Sequence, residues 1–114
     1  MDERRKLNRK YIAFFTRIFN RENGDLLGHL ADLTPEGMML ISEEPIYIEQ
    51  DLDLRMDLSG TFFDKENLDF SARSVWCLPD IDPKFWNTGF KIIELSEENK
   101  EIIQRIIAEY GMRE

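Results

Sequence analysis

The chain has 114 residues, a formal net charge of −8 at pH 7 and a hydrophobic content of 42% that includes 8 Phe and 2 Trp. This length and apolar content fit one folded domain and exclude an intrinsically disordered chain. The charged N-terminus lacks a secretory signal, no apolar run approaches the roughly 18 residues of a membrane span, and the single cysteine excludes an internal disulfide, so a cytoplasmic location is expected.

Six segments have the composition or the alternation that is typical of β-strands. Residues 10–20 are rich in β-branched and aromatic side chains, and residues 51–58 alternate polar and apolar positions, with the apolar ones predicted to face inward. Asn23-Gly24 predicts a hairpin turn after the first strand, and Thr34-Pro35-Glu36-Gly37 predicts a tight turn after the second. The predicted strands cover residues 10–20, 26–33, 38–42, 51–58, 68–77 and 88–95, and residues 79–87, which contain two prolines, are predicted as a loop.

The C-terminal segment has the pattern of an amphipathic helix. Ser96 is suited to the N-cap, Glu97 and Glu98 follow in the first turn, where the helix dipole favours negative charge, and Gly111 marks the end. The apolar face comprises Ile102, Ile103, Ile106, Ile107 and Tyr110. Six short strands followed by one such helix predict a mainly β fold, a six-stranded antiparallel β-barrel that the C-terminal helix closes or covers.

Positive charge is concentrated at the start of the chain. Residues 1–21 carry seven basic and two acidic side chains, a net charge of +5. Because the whole chain has a net charge of −8, residues 22–114 have a net charge of −13. This asymmetry indicates where an anion would bind, although a solvated, flexible N-terminus explains the basic residues equally simply. It argues against a broad nucleic-acid surface, which requires basic residues across the domain.

Two short motifs supply side chains that suit an anionic ligand with guanine edges and phosphates. Arg5 and Arg9 lie four residues apart, and an arginine fork binds phosphate or the O6 and N7 atoms of guanine in a bidentate way. Asp32 offers a carboxylate to guanine N–H groups or to an arginine, Thr34 offers a hydroxyl, and Gly37 allows close approach of backbone or a positive φ. Ordinary roles in a turn also explain Asp32, Thr34 and Gly37.

Each motif is a weak signal alone, and the order and spacing of the two carry the prediction. A second pair with the same spacing, Arg17 and Arg21, is predicted to lie at the end of a strand without a ligand role. Trp76 is a weaker candidate, either stacked on a base or part of the core. His29 is the single histidine and has no Cys or His partner at metal-binding spacing.

The order of these elements resembles the PilZ domain, the bacterial receptor for cyclic di-GMP, over nearly the whole chain. The arginine motif corresponds to Arg5 and Arg9, and the second motif to Asp32, Thr34 and Gly37, with threonine where serine is usual. The stretch Gly89 to Leu95 and the helix start at Ser96 resemble the closing segment of the family. The resemblance implies one PilZ-like domain over residues 1–114, with a flexible arginine-rich ligand loop at 1–10, the barrel at 11–95 and the helix at 96–111.

The resemblance further implies a second-messenger receptor or adaptor that binds cyclic di-GMP and relays the signal to a partner protein by a conformational change. It implies ligand contacts from Arg5, Arg9, Asp32, Thr34 and Gly37. In related domains, a basic residue at the position of Arg4 accompanies binding of a stacked ligand pair. No cofactor other than this ligand, no metal and no membrane insertion are expected.

Three alternatives of different classes compete with the receptor hypothesis. A PilZ-like protein-interaction module would keep the barrel and bind no nucleotide. A small barrel for single-stranded nucleic acid conflicts with the acidic charge of residues 22–114. An enzyme is not expected, because the sequence contains no phosphate loop ending in GK[ST], no HExxH and no GxSxG.

Overall fold

The computed structural model describes residues 16–59 and 65–110. Six strands form one closed barrel in the order β1-β2-β3-β6-β5-β4, and each neighbouring pair is antiparallel. A helix, α1, follows the last strand, so the predicted fold class is confirmed. The elements are β1 (Arg17–Asn20), β2 (Leu26–Leu33), β3 (Gly37–Ser42), β4 (Asp51–Asp57), β5 (Asn67–Pro79), β6 (Trp86–Glu94) and α1 (Glu97–Tyr110).

The predicted strand boundaries differ most at the hairpin between β5 and β6. The loop predicted over residues 79–87 is present but shorter, because β5 continues to Pro79 and β6 begins at Trp86, which leaves residues 80–85 as the connection. Asp80 closes the short turn: its N–H donates to the carbonyl of Phe85 at 2.9 Å, and its carboxylate accepts from Asn87 Nδ2 at 2.9 Å. The hydrogen bond from Asn87 lowers the pKa of Asp80, partly opposed by burial.

The core follows the alternation of the strands. In β4 and just beyond it, Leu54, Met56 and Leu58 are buried and Leu52 is half-buried, as the period of two predicts. Burying one such side chain stabilises the fold by about 1.5–3 kcal/mol. The other buried apolar residues are Ile18, Leu30, Leu33, Met38, Leu40, Leu68, Phe70, Ala72, Phe90, Ile103 and Ile106.

Helix α1 is held against the barrel by apolar contacts and one buried amide. Ser96 caps the helix as predicted, since its Oγ accepts from the N–H of Asn99 at 3.1 Å. Ile103 and Ile106 are buried against the barrel. Asn99 is also buried, and its Nδ2 donates to the backbone carbonyl of Asp69 on β5 at 3.0 Å, which satisfies the polar group and fixes the position of the helix.

Oppositely charged side chains pair across the outer face of β1, β4 and β5. Arg73 Nε donates to Asp51 Oδ1 at 2.7 Å, and Arg55 Nε donates to Asp69 Oδ1 at 2.8 Å. The hydrogen bond from Arg55 lowers the pKa of Asp69, and the one from Arg73 lowers the pKa of Asp51. These cross-strand pairs favour the observed register, because a slip would place like charges opposite each other.

The second arginine pair is engaged on this same charged face. Arg17 Nη2 donates to Asp57 Oδ2 at 2.7 Å, and Arg21 lies 3.7 Å from Asp69 Oδ2 and 4.0 Å from Asp53 Oδ1. Both guanidinium groups therefore have carboxylate partners within the barrel.

The lowered aspartate pKa values predict a specific loss of stability in acid. A carboxyl group whose pKa is lower in the folded state contributes stability above its unfolded pKa of about 3.9, and this contribution is lost as the pH falls through the folded value. We expect Asp69→Asn to flatten the fall in unfolding free energy between about pH 5 and about pH 3, measured by urea denaturation. Asp25→Asn, in the β1–β2 turn, is the control and should retain the wild-type slope. An unchanged slope for Asp69→Asn would contradict the assignment.

Candidate ligand-binding site

A β-bulge in β2 turns Asp32 toward solvent. The register with β3 shifts between Leu30 and Asp32, which pairs with Met39, so Ala31 is an extra residue in the strand. Leu30 and Leu33 are buried and Asp32 is exposed. Without the extra residue, strict alternation would direct the carboxylate of Asp32 into the core.

A second bulge, in β5, turns Trp76 outward in the same way. Ser74 pairs with Phe90 and is buried, whereas Trp76 pairs with Gly89, which leaves Val75 as the extra residue. Trp76 is 39% exposed, so it is not a core tryptophan. Its exposure is a direct result of the bulge, because alternation from Ser74 would have placed position 76 inside.

The two bulges bring Asp32 and Trp76 into one transverse row on the outer face. Asp32 pairs with Met39, Met39 with Gly89, and Gly89 with Trp76, across β2, β3, β6 and β5. These four residues are called the Asp32–Trp76 row. With strands about 4.8 Å apart, its ends are separated by roughly 14 Å along the sheet.

The indole of Trp76 lies over Gly89. A Cβ atom on Gly89 would lie 2.1 Å from Nε1 and 2.3 Å from Cε2 of Trp76, so any larger residue would displace the ring. The glycine thus lets the indole extend over β6, about two strand spacings, or roughly 10 Å, from Asp32. The result is an exposed aromatic ring with a carboxylate across the same face.

The carboxylate of Asp32 is held in place from its own strand. The backbone N–H of Leu33 donates to Asp32 Oδ1 at 3.0 Å. Within residues 16–59 and 65–110, Asp32 has no ion-pair partner. An oriented, exposed carboxylate is suited to accept hydrogen bonds from N–H donors of a ligand.

The turn after β2 uses the side chain of Thr34 internally. Thr34 Oγ1 accepts from the Gly37 N–H at 3.1 Å and is 3.3 Å from the Gly37 carbonyl, to which it donates. Gly37 is required for close packing rather than for a positive φ: a Cβ would lie 2.5 Å from the carbonyl oxygen of Phe90. The contact of both residues with ligand stays a prediction.

The structure brings together one half of the predicted site. Asp32, Thr34 and Gly37 adjoin one another at the end of β2 and the start of β3, and Trp76 joins them from a distant part of the sequence. Arg4, Arg5 and Arg9 lie outside the described residues. Sequence reasoning missed Gly89, although a glycine inside a predicted strand signals close approach of another group.

Two further classes of site are not found in the described part of the chain. No group of three or more His, Cys, Asp or Glu residues there is arranged to hold a metal ion. No helix there has the length and apolar character needed to cross a membrane.

Comparisons with known proteins agree with this architecture. The family model of the PilZ domain matches residues 3–109. The solved structure of the Bacillus subtilis inhibitor of motility (MotI/DgrA) is similar, with a TM-score of 0.65 and 11% sequence identity over 87% of this chain and 48% of that chain. The chain thus spans about half the length of that protein, and at this identity the likeness shows the fold. No curated protein matches the sequence.

The two glycines of this face predict contrasting effects of adding a methyl group. Gly37→Ala is expected to lower the unfolding free energy by about 1–3 kcal/mol, because the Cβ meets backbone of the paired strand, which cannot move away. Gly89→Ala is expected to cost less, because the indole of Trp76 can rotate away. Urea denaturation measures the first effect and near-UV circular dichroism the second. Equal destabilisation by both substitutions would show that the indole is fixed.

Proposed function

Because the chain belongs to the PilZ domain family, we propose that it is a bacterial second-messenger receptor that binds cyclic di-GMP on the outer face of its barrel. The observation that carries the proposal is the Asp32–Trp76 row, in which two bulges turn a carboxylate and an indole toward the same solvent-exposed face. Neither side chain contributes to the core in this orientation.

The row offers the two contacts that a guanine base requires. A base stacked on an exposed aromatic ring gains about 1–3 kcal/mol. The N1–H and N2–H groups of guanine are donors, and an ionised carboxylate is purely an acceptor. We therefore assign Trp76 to stacking and Asp32 to hydrogen bonding with guanine, with Thr34 and Gly37 shaping the adjacent turn.

The phosphates require cations that the described barrel supplies sparingly, since residues 22–114 carry −13. Arg17 and Arg21 have carboxylate partners at 2.7 Å and 3.7 Å. We assign phosphate and guanine recognition to the N-terminal pair, Arg5 and Arg9, with Arg4 as an additional basic group. Binding would order this segment against the barrel, and a partner protein would recognise the ordered surface.

One observation favours a second candidate function, a protein-interaction module. Three apolar side chains, one before β4 and two at the β5–β6 hairpin, are strongly exposed: Tyr47 is 85%, Leu78 is 60% and Ile81 is 91% exposed. Where exposed apolar side chains adjoin one another, they mark interaction sites. The structural neighbour is named an inhibitor of motility, and we therefore propose motility as one process that the partner protein controls. Exopolysaccharide synthesis is a second proposed output.

The receptor proposal predicts a calorimetric difference between the two arginine pairs. Wild type should bind cyclic di-GMP with a Kd near micromolar, which corresponds to a binding free energy of about 8 kcal/mol. Its melting temperature should rise when the ligand is added. Arg9→Ala should weaken binding about tenfold to hundredfold, because this is the loss of affinity expected when one charge-assisted hydrogen-bonding group is removed. Arg17→Ala, the matched control in the engaged pair, should retain wild-type affinity. Absence of wild-type binding would favour the interaction module.

Stacking on Trp76 gives a separate prediction. Trp76→Ala should weaken binding by about 1–3 kcal/mol, or roughly fivefold to 150-fold, because the base loses its aromatic surface. Trp76→Phe should recover most of this loss, since phenylalanine retains a flat ring. Equal affinity of wild type and Trp76→Ala in the same titration would remove the indole from the site.

A further inference from the structure

The next outward row of the same face contains two adjacent cations. Lys91 pairs with Gly37 on β3 and with Arg73 on β5, and Arg73 pairs in turn with Asp51 on β4. Lys91 is exposed and lies two residues after Gly89 on β6, so it emerges on the same face as the indole of Trp76. The separation along the strand is about 7 Å.

The electrostatic environment of these two cations differs. Arg73 binds Asp51 through Nε at 2.7 Å and Nη2 at 3.2 Å. Lys91 forms no hydrogen bond or ion pair with the residues described in the structure, and its cross-strand neighbours are a glycine and another cation. Asp51 matches the charge of Arg73, so Lys91 is the cation of this pair that is left without a carboxylate partner among the described residues.

We propose that Lys91 binds a phosphate of the nucleotide whose guanine stacks on Trp76. The inference rests on the proposed function and extends it, because it places one phosphate contact on the barrel itself rather than on the N-terminal arginines. In a nucleotide, one sugar separates the phosphate from the base. A cation that lies two residues along the strand from the stacking position, about 7 Å away, is therefore placed to meet that phosphate. The four-carbon stem of lysine lets the ammonium follow the phosphate.

The position of Lys91 explains how an acidic barrel accommodates a ligand with two phosphates. The N-terminal arginines precede β1 in the sequence, whereas Lys91 lies on β6, beside the Thr34–Gly37 turn and Arg73. The face therefore provides a carboxylate for a base edge in one row and a cation for a phosphate in the next. A single guanosine nucleotide contains both of these partners.

The test is calorimetric titration with cyclic di-GMP at several salt concentrations. Lys91→Gln should weaken binding about tenfold and make the dependence of affinity on salt less steep, because one ionic contact is removed. Lys91→Arg should retain affinity within about threefold, since charge and hydrogen-bond donors remain. Lys84→Gln, in the β5–β6 turn, is the matched control and should behave as wild type.

The outcomes separate this inference from the proposed function. Wild-type binding with equal affinity and an equal salt dependence for Lys91→Gln would overturn the phosphate contact and leave the receptor proposal intact. No wild-type binding would overturn both. Should Lys91→Gln fail to fold, Lys91→Glu and Lys91→Arg still decide the question: the glutamate must bind more weakly than the arginine if a phosphate lies at this position.

Discussion

The structure depends on the strict alternation of side chains in a closed barrel. Each residue of a regular strand points either to the core or to solvent, and closure leaves no freedom to rotate one strand independently of its neighbours. A bulge is the local means of reversing this alternation without disturbing the rest of the core. The bulges at Ala31 and Val75 do so on β2 and β5, the two strands that flank the β3–β6 pair. Asp32 and Trp76 owe their shared face to this arrangement.

The two sides of the barrel use charge differently. On β1, β4 and β5, arginines and aspartates satisfy one another, as in Arg55 with Asp69 and Arg17 with Asp57. On β2, β3 and β6, Asp32 and Lys91 have no such partner among the described residues. Surface ion pairs contribute little to stability each, but they leave few charges available for an external ligand. Complementary pairing on one face thereby restricts anion recognition to the other.

The sequence predicted the fold better than the site. The alternation of β4 and the cap at Ser96 are local signals, and both are confirmed because local geometry determines them. A proline favours a break, so the predicted strand ends at Cys77, two residues before the observed end of β5 at Pro79. The bulges carry no local signal: alanine and valine are ordinary strand residues, and only pairing with distant strands makes positions 31 and 75 extra. Asp32 and Trp76 are both ligand candidates in the sequence analysis, but their position in one row across four strands could not be derived from it.

The bulges also determine which kinds of change the face tolerates during evolution. Ala31 and Val75 act chiefly as inserted residues, because each lengthens its strand by one residue relative to the paired strand. Their side chains supply no polar group to the face. Many residue types can occupy these positions, but loss of either residue would restore the regular alternation and drive a carboxylate or an indole inward. The face is thus far more sensitive to single-residue deletion than to substitution at these two positions. In a comparison of relatives, we expect the lengths of β2 and β5 to be conserved while the residue types at these positions vary.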